Sequence, residues 1–495
     1  MKMFLRLTHL VLLVMGFLTS LSTFAQSREV SINIMGPLLI GDPVDPSSPD
    51  HNDEWSEFER ELIRAKQLGV QSVSTDIWWG LIEPQKGQFD WAYYDRLVQV
   101  IERVGLQWMP ILSFHQLGGN VGDKGSIPIP RYVWAEGGAD TWSENNRRVS
   151  SLMFKSELGN YCREYVSFWG TDAMMPNYRR VMEEFQRHFA PKARLISEIN
   201  VSLGPAGELR YPSYNNHDGN AAGFPYRGAL QAYSGPAILS FRTAMMKKYV
   251  TIEAVNSAWG FRLAEFNQIH PPNPELLKSQ FYGSFEQFTP YGKDFFDWYN
   301  ESLVQHGKKM IKTAFEVFSG PGSPMKNADL GAKMPGVHWR VANDRLAELS
   351  AGLIRTSYNN WFADENAYGY KDTMRVFDEV ADKKNFVMHF TAIEMADRDY
   401  EGDVKIDSRA ESLAAAVGRA ARTKNIRLKA ENALAGSLYS EDAWWKMNNA
   451  IRNFGYSGVT LLRLGDLIGN NVAERSLYQM SRTYPTVLRC EKVFP

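Results

Sequence analysis

Residues 73 to 114 decide the fold: VSTDIW at 73–78, YYDRLVQVIERV at 93–104 and WMPILSF at 108–114. The first and third segments are short, rich in β-branched and aromatic residues, and apolar apart from Ser74, Thr75, Asp76 and Ser113. Such continuity marks strands buried on both faces, as in a parallel sheet. The middle segment repeats apolar residues every three or four positions, so it is an amphipathic helix. Strand, helix and strand in that order make one βα crossover unit.

Outward from this unit the pattern recurs. Eight runs read as strands: Val30 to Met35, Val73 to Trp78, Trp108 to Phe114, Leu195 to Leu203, Leu330 to Val337, Phe386 to Ile393, Ile426 to Ala430 and Gly458 to Leu462. Helix-period segments lie between them, among them Trp55 to Gln67, Tyr93 to Val104 and Phe295 to Phe318. Eight such units predict an α/β fold closed as a (β/α)8 TIM barrel. Two connections are long: residues 115 to 172 after the third run and 209 to 290 after the fourth, both with little periodicity. They are expected to be loop insertions on the face where barrel enzymes build their sites. With no repeat and no low-complexity linker, one catalytic domain over residues 26–495 is expected.

The first 25 residues are set apart from this domain. Lys2 and Arg6, the apolar run Leu10 to Leu18, and Thr23-Phe24-Ala25 before Gln26 have the layout of a secretory signal peptide. The expectation is an exported protein, secreted or periplasmic, with no membrane attachment after cleavage. A formal net charge of −1 gives no electrostatic case for nucleic acid. Fourteen Trp and 22 Tyr favour a sugar-binding surface only weakly, because most such rings serve the core. Two cysteines, Cys162 and Cys490, leave one disulfide or two thiols equally open.

Polar groups stand at or just past the C-terminal end of nearly every strand run: Asp76, His115, Glu208, His338, Thr391 with Glu394, Glu431 and Arg463. In a barrel these positions converge on one mouth. Several carboxylates without a nucleophile–base cluster, a zinc-type Cys/His spacing or a phosphate-binding glycine loop suit glycoside hydrolysis, which needs one protonated and one ionised acid. The residues alone do not choose the pair.

Three segments carry a resemblance that goes further. Phe114-His115-Gln116-Leu117-Gly118-Gly119-Asn120-Val121-Gly122-Asp123 is similar to the glycine-rich lid of the beta-amylase family. The segment Gly204 to Tyr214, with Pro205-Ala206-Gly207-Glu208-Leu209-Arg210, resembles the one holding that family's general acid, and Glu431-Asn432-Ala433-Leu434 the one holding its general base. Thr75-Asp76-Ile77-Trp78-Trp79-Gly80, Lys333 with Gly336-Val337-His338-Trp339, Phe390 to Met395 and Leu462-Arg463-Leu464 match in family order. The resemblance implies release of maltose from the non-reducing ends of starch and other α-1,4-glucans, by inversion and without a cofactor or metal. It implies Glu208 as proton donor and Glu431 as base. Asp76, His115, Asp123, Lys333, His338, Thr391, Asn432, Ala433 and Arg463 would hold glucose units.

Each of these has a structural alternative. Asp76 and Arg463 could be a barrel-mouth ion pair, His338 a core histidine, and Lys333 a group facing solvent. Trp78, Trp79 and Trp339 fit core packing as well as sugar stacking. Glu394 reads as a supporting or binding group, and Glu83 and Glu198 as structural. Leu117 stands where the family commonly has Cys, and Glu83-Pro84-Gln85-Lys86-Gly87 is poor in the hard oxygen ligands that calcium needs. No starch-binding module is expected. The rival readings are a barrel glycosidase of other linkage and a non-catalytic glucan-binding or sensing barrel.

Overall fold

The computed structural model describes residues 30–43, 51–118, 125–140, 149–219, 222–272, 286–339, 341, 345–355, 369–378, 380, 386–398 and 408–484. The leader reading, Asp123, most of the glycine-rich segment and Cys490 therefore lie outside the described residues.

Eight parallel strands close into a barrel: β1 (Ser31–Met35), β2 (Ser72–Trp78), β3 (Gln107–Ser113), β4 (Glu198–Val201), β5 (Asp329–Met334), β6 (Phe386–Phe390), β7 (Arg427–Glu431) and β8 (Gly458–Leu461). Neighbours follow chain order, and β1 completes the ring by pairing with both β2 and β8. Helices separate successive strands along the described chain, as βα units require. The helix Ala92–Val104 shows why. Tyr94, Leu97, Val98, Ile101 and Val104 form its buried stripe, and Gly105, at φ 75°, ends it by donating to the Ile101 and Glu102 carbonyls at 3.0 Å. A Cβ at that φ would be strained, so glycine is the stop signal. The longest helix, Pro290–Phe318, starts at Thr289, whose hydroxyl accepts from Gly292 N at 3.1 Å.

All eight strand expectations meet an observed strand, with shifted ends. The fourth was expected from Leu195 and begins at Glu198, because Ala190–Leu195 is a 3-10 turn. The fifth and sixth stop at Met334 and Phe390, short of Val337 and Ile393. Ala392, at φ 68°, turns the chain out of the sheet there. The long insertion after β4 is less irregular than its composition suggested. It holds two helices, Gly235–Tyr249 and Ile252–Trp259. Ala237, Ile238, Phe241 and Met245 bury one face of the first. The insertion after β3 contains the short helix Arg131–Glu136 and a two-stranded ladder, Phe154–Lys155 with Tyr161–Cys162.

The barrel interior is charged at one level. Register places Lys333 of β5 beside His389 of β6, and His389 beside Lys429 of β7. Partners in a parallel pair point to the same face, so two lysines and a histidine line up inside the barrel. Two carboxylates compensate them. Glu198 accepts from Lys429 Nζ at 2.6 Å and from His389 Nε2, and Glu431 holds Lys333. Burial opposes the Glu198 charge, but Lys429 and His389 overcome it and hold the carboxyl well below its usual range.

Candidate active site

Gly204 to Arg210 fold back on themselves just past β4. A Cβ on Gly204 would stand 2.4 Å from the Glu208 carbonyl and 2.8 Å from that of Arg210, so only glycine lets the chain approach itself this closely. Leu209 N then donates to the Lys333 carbonyl at 2.9 Å, and Glu208 pairs with Lys333 as a parallel bridge. This tie carries the sheet one step beyond the end of β4 and fixes Glu208 at the rim.

The Glu208 side chain keeps 15% exposure, which leaves it reachable from the barrel mouth. Its Oε2 accepts from Arg210 Nε at 2.9 Å, and its Oε1 from the Thr391 hydroxyl at 3.4 Å, a long contact. Thr391 Oγ1 itself accepts from Gly336 N at 2.8 Å, so one hydroxyl joins the loops after β5 and β6.

Glu431 ends β7 with its side chain 8% exposed. Lys333 Nζ donates to Oε1 at 2.9 Å. Oε2 lies at the same distance from that ammonium, so both carboxylate oxygens face Lys333. Lys333 thus touches both halves of the site, by its backbone at Glu208 and by its ammonium at Glu431. It points into the barrel, not to solvent.

The remaining expected residues that are described have the following partners. Asp76 Oδ1 accepts from the Ser113 hydroxyl at 2.7 Å. Arg463 Nη1 donates to the Gly36 carbonyl at 2.9 Å, and no Asp76–Arg463 ion pair is present among the described residues. His115 packs its ring edge-on against Trp78, 5.2 Å between centroids, and bonds Ser202 Oγ through Nδ1 at 2.9 Å. Burial, then the charges of Lys333 and Arg210, push its pKa down to about 3, so the ring is neutral. His338 is also buried, bonded to Ser408 Oγ at 2.8 Å, and burial pushes it down to about 4 despite Asp397.

Asn432 is fully buried. It donates to the Leu434 and Leu462 carbonyls at 3.0 and 2.9 Å and accepts from Leu462 N at 2.7 Å. It therefore braces the loop after β7 against the end of β8. Glu394 supports the same loop from the other side, accepting from Ala433 N at 3.0 Å and Leu434 N at 3.0 Å. Burial raises the Glu394 carboxyl even though these amides favour its charge.

Other residues have plainly structural contacts. Glu83 is buried under Arg180, Tyr132 and the Trp79 indole, at 2.7 to 3.0 Å. Trp78, Trp79 and Trp339 are packed at 2, 1 and 7% exposure. Cys162 is a buried thiol. Arg210, which pairs with Glu208, and Asn215 and Glu164, which follow it in one hydrogen-bonded chain, were not singled out from sequence. Only Arg210 gave a signal, two residues from Glu208.

Comparison with known proteins bears on the whole chain. The model of glycosyl hydrolase family 14 matches residues 47–483. A beta-amylase of Niallia circulans is 32% identical over 471 residues, covering 94% of this chain and 72% of the relative. A beta-amylase of Cytobacillus firmus is 33% identical over 474 residues, covering 94% and 89%. Among solved structures, the catalytic domain of beta-amylase from Paenibacillus polymyxa superposes with a TM-score of 0.76 at 30% identity. That match covers 93% of this chain and all of the other. Beta-galactosidase from Marinomonas ef1, at 13% identity and a TM-score of 0.53, shares the fold alone.

Proposed function

The chain belongs to glycosyl hydrolase family 14, and from that premise we propose its reaction: it is a beta-amylase that releases β-maltose from the non-reducing ends of α-1,4-glucans. Glu208 gives its proton to the glycosidic oxygen, the bond from that oxygen to the anomeric carbon of the maltosyl unit breaks, and the shortened glucan chain leaves. Glu431 takes a proton from the water that attacks that carbon from the opposite face, so the configuration inverts. Inversion needs a water between the base Glu431 and the anomeric carbon, and carboxyls roughly 6.5–9.5 Å apart leave room for it.

One observation carries the assignment. Glu208, just past β4, and Glu431, at the end of β7, have β5 and β6 between them, which supports a reading in which they approach a bound bond from different sides. Asp76, His115, Asp123, Lys333, His338, Thr391, Asn432, Ala433 and Arg463 are the proposed sugar contacts. A neutral His115 or His338 offers a ring N–H without a competing charge. Export by the N-terminal segment is part of the same reading, and the exported chain is expected to begin at Gln26 when sequenced.

Glu208→Gln and Glu431→Gln keep shape and remove one proton transfer each, a contribution of about 10²–10⁴-fold. Maltose release from soluble starch should fall by at least ~10²-fold in each while maltose binding persists. Retention of more than about a tenth of wild-type turnover in either would overturn its role.

A further inference from the structure

A proton donor must keep its proton until the bond breaks, yet Glu208 Oε2 lies 2.9 Å from Arg210 Nε. A guanidinium that close favours a bare carboxylate. Arg210, however, does not belong to Glu208 alone. It is buried at 1% exposure, its plane lies 4.1 Å over the Tyr214 ring, and its Nη1 donates to Asn215 Oδ1 at 2.6 Å. The Asn215 amide nitrogen in turn donates to both oxygens of Glu164, at 2.8 and 2.6 Å. Glu164 is buried at 3% exposure, and no step of the reaction uses it.

The result is one buried cation between two carboxylates, one direct and one through an amide. Burial opposes the Arg210 charge, and the face of the Tyr214 ring together with the Glu208 and Glu164 carboxylates favours it. The other ionisable groups around Glu208 do not take that part. His115 is neutral, burial pushes the Tyr214 hydroxyl far up, and Lys333 is engaged with Glu431.

We propose that Glu164 is a positioning residue for Glu208: through Asn215 it fixes Arg210 and takes a share of its charge, so that Arg210 orients the donor without locking it as a carboxylate. The inference rests on the reading of Glu208 as proton donor. Without Glu164, Glu208 would be the one carboxylate left to balance Arg210 among the described residues, and donation to the leaving oxygen would suffer.

The test uses two substrates that differ in their need for that proton. Departure of a glucan chain requires protonation; fluoride departs from α-maltosyl fluoride with little help. Glu164→Gln removes the charge at constant volume. It should lower kcat on soluble starch about tenfold or more, with KM changed less than about twofold, because the loss lies in proton donation. Hydrolysis of α-maltosyl fluoride should stay within about threefold of wild type, and Glu164→Asp should recover part of the starch rate.

Equal losses on both substrates, or none on starch, would overturn the inference. If Glu164→Gln does not fold, Asn215→Ser cuts the link and keeps both charges. It must show the same split between substrates, and an equal loss there overturns the inference as well. Glu208→Gln is assayed alongside. Full starch activity in it would remove the donor reading itself, whereas a missing split in the Glu164 variants removes only this inference.

Discussion

Replacing Lys429 by methionine tests how the barrel tolerates its internal charges. Lys429 Nζ lies 2.6 Å from Glu198 Oε2, with the side chains 7% and 1% exposed. Glu198 Oε1 has its own partners, His389 Nε2 and Asn200 Nδ2, the latter at 3.0 Å, so Oε2 depends on the lysine. Methionine fills similar space and leaves a buried carboxylate without its main counter-charge. Breaking a buried pair in this way costs about 3–5 kcal/mol, far more than loss of a surface pair.

The pH dependence has a definite sign. The folded-state pKa of Glu198 is depressed from 4.5, so the pair's stabilisation is complete above that value and fades as pH falls below it. In Lys429→Met the carboxyl escapes its penalty by taking a proton, so the deficit relative to wild type should be largest near neutral pH and shrink in acid. Urea unfolding at pH 7 and pH 4 reads this as a shift in midpoint at unchanged slope. Adding Glu198→Gln to Lys429→Met should restore a good part of the loss. A deficit under about 1 kcal/mol at pH 7, or further loss in the double variant, would refute the reasoning.

Two other perturbations follow from the site. Gly204→Ala puts a Cβ 2.4 Å from the Glu208 carbonyl, so the loop must shift, at a cost of about 1–3 kcal/mol. Its starch activity should fall by more than its stability predicts, and normal kcat in a folded variant would count against the tight turn as the device that sets Glu208. Burial depresses His115 and His306 to about 3 and His338 to about 4, so all three stay neutral from pH 8 down to pH 5. Each adds stability that is whole above its unfolded pKa and is lost as pH falls toward its folded one. Carbon-13 histidine NMR should show flat shifts for these rings across that range, and a titration midpoint near 6.5 for any of them would contradict its burial.

The strands were legible because a parallel barrel buries both faces of each one, which leaves runs rich in apolar residues even where Asp76, Lys333, His389 and Lys429 interrupt them. Their C-terminal ends were not, since the chain leaves the sheet where it starts to build the site. Thr391 belonged to an expected strand but lies past Phe390, in the turn at Ala392. The helix Gly235–Tyr249 was missed amid Gly, Pro and Asn, although Ala237, Phe241 and Met245 recur every fourth residue. Polar residues at the mouth could be read as a set, because strand ends converge in any barrel. Their partners could not. Asn215 meets Glu164 across 51 positions, and Lys333 meets Glu431 across 98. Whether Lys333 faces in or out depends on a register that no local pattern records.

Family membership, the barrel and the placement of Glu208 and Glu431 converge on an inverting exo-hydrolase. Proton NMR of soluble starch during the first minutes of digestion tests this most directly. The account predicts that the β-anomeric signal of maltose appears first and then decays toward the equilibrium mixture by mutarotation. An initial α-anomeric signal, or glucose and mixed oligomers as the earliest products, would contradict it.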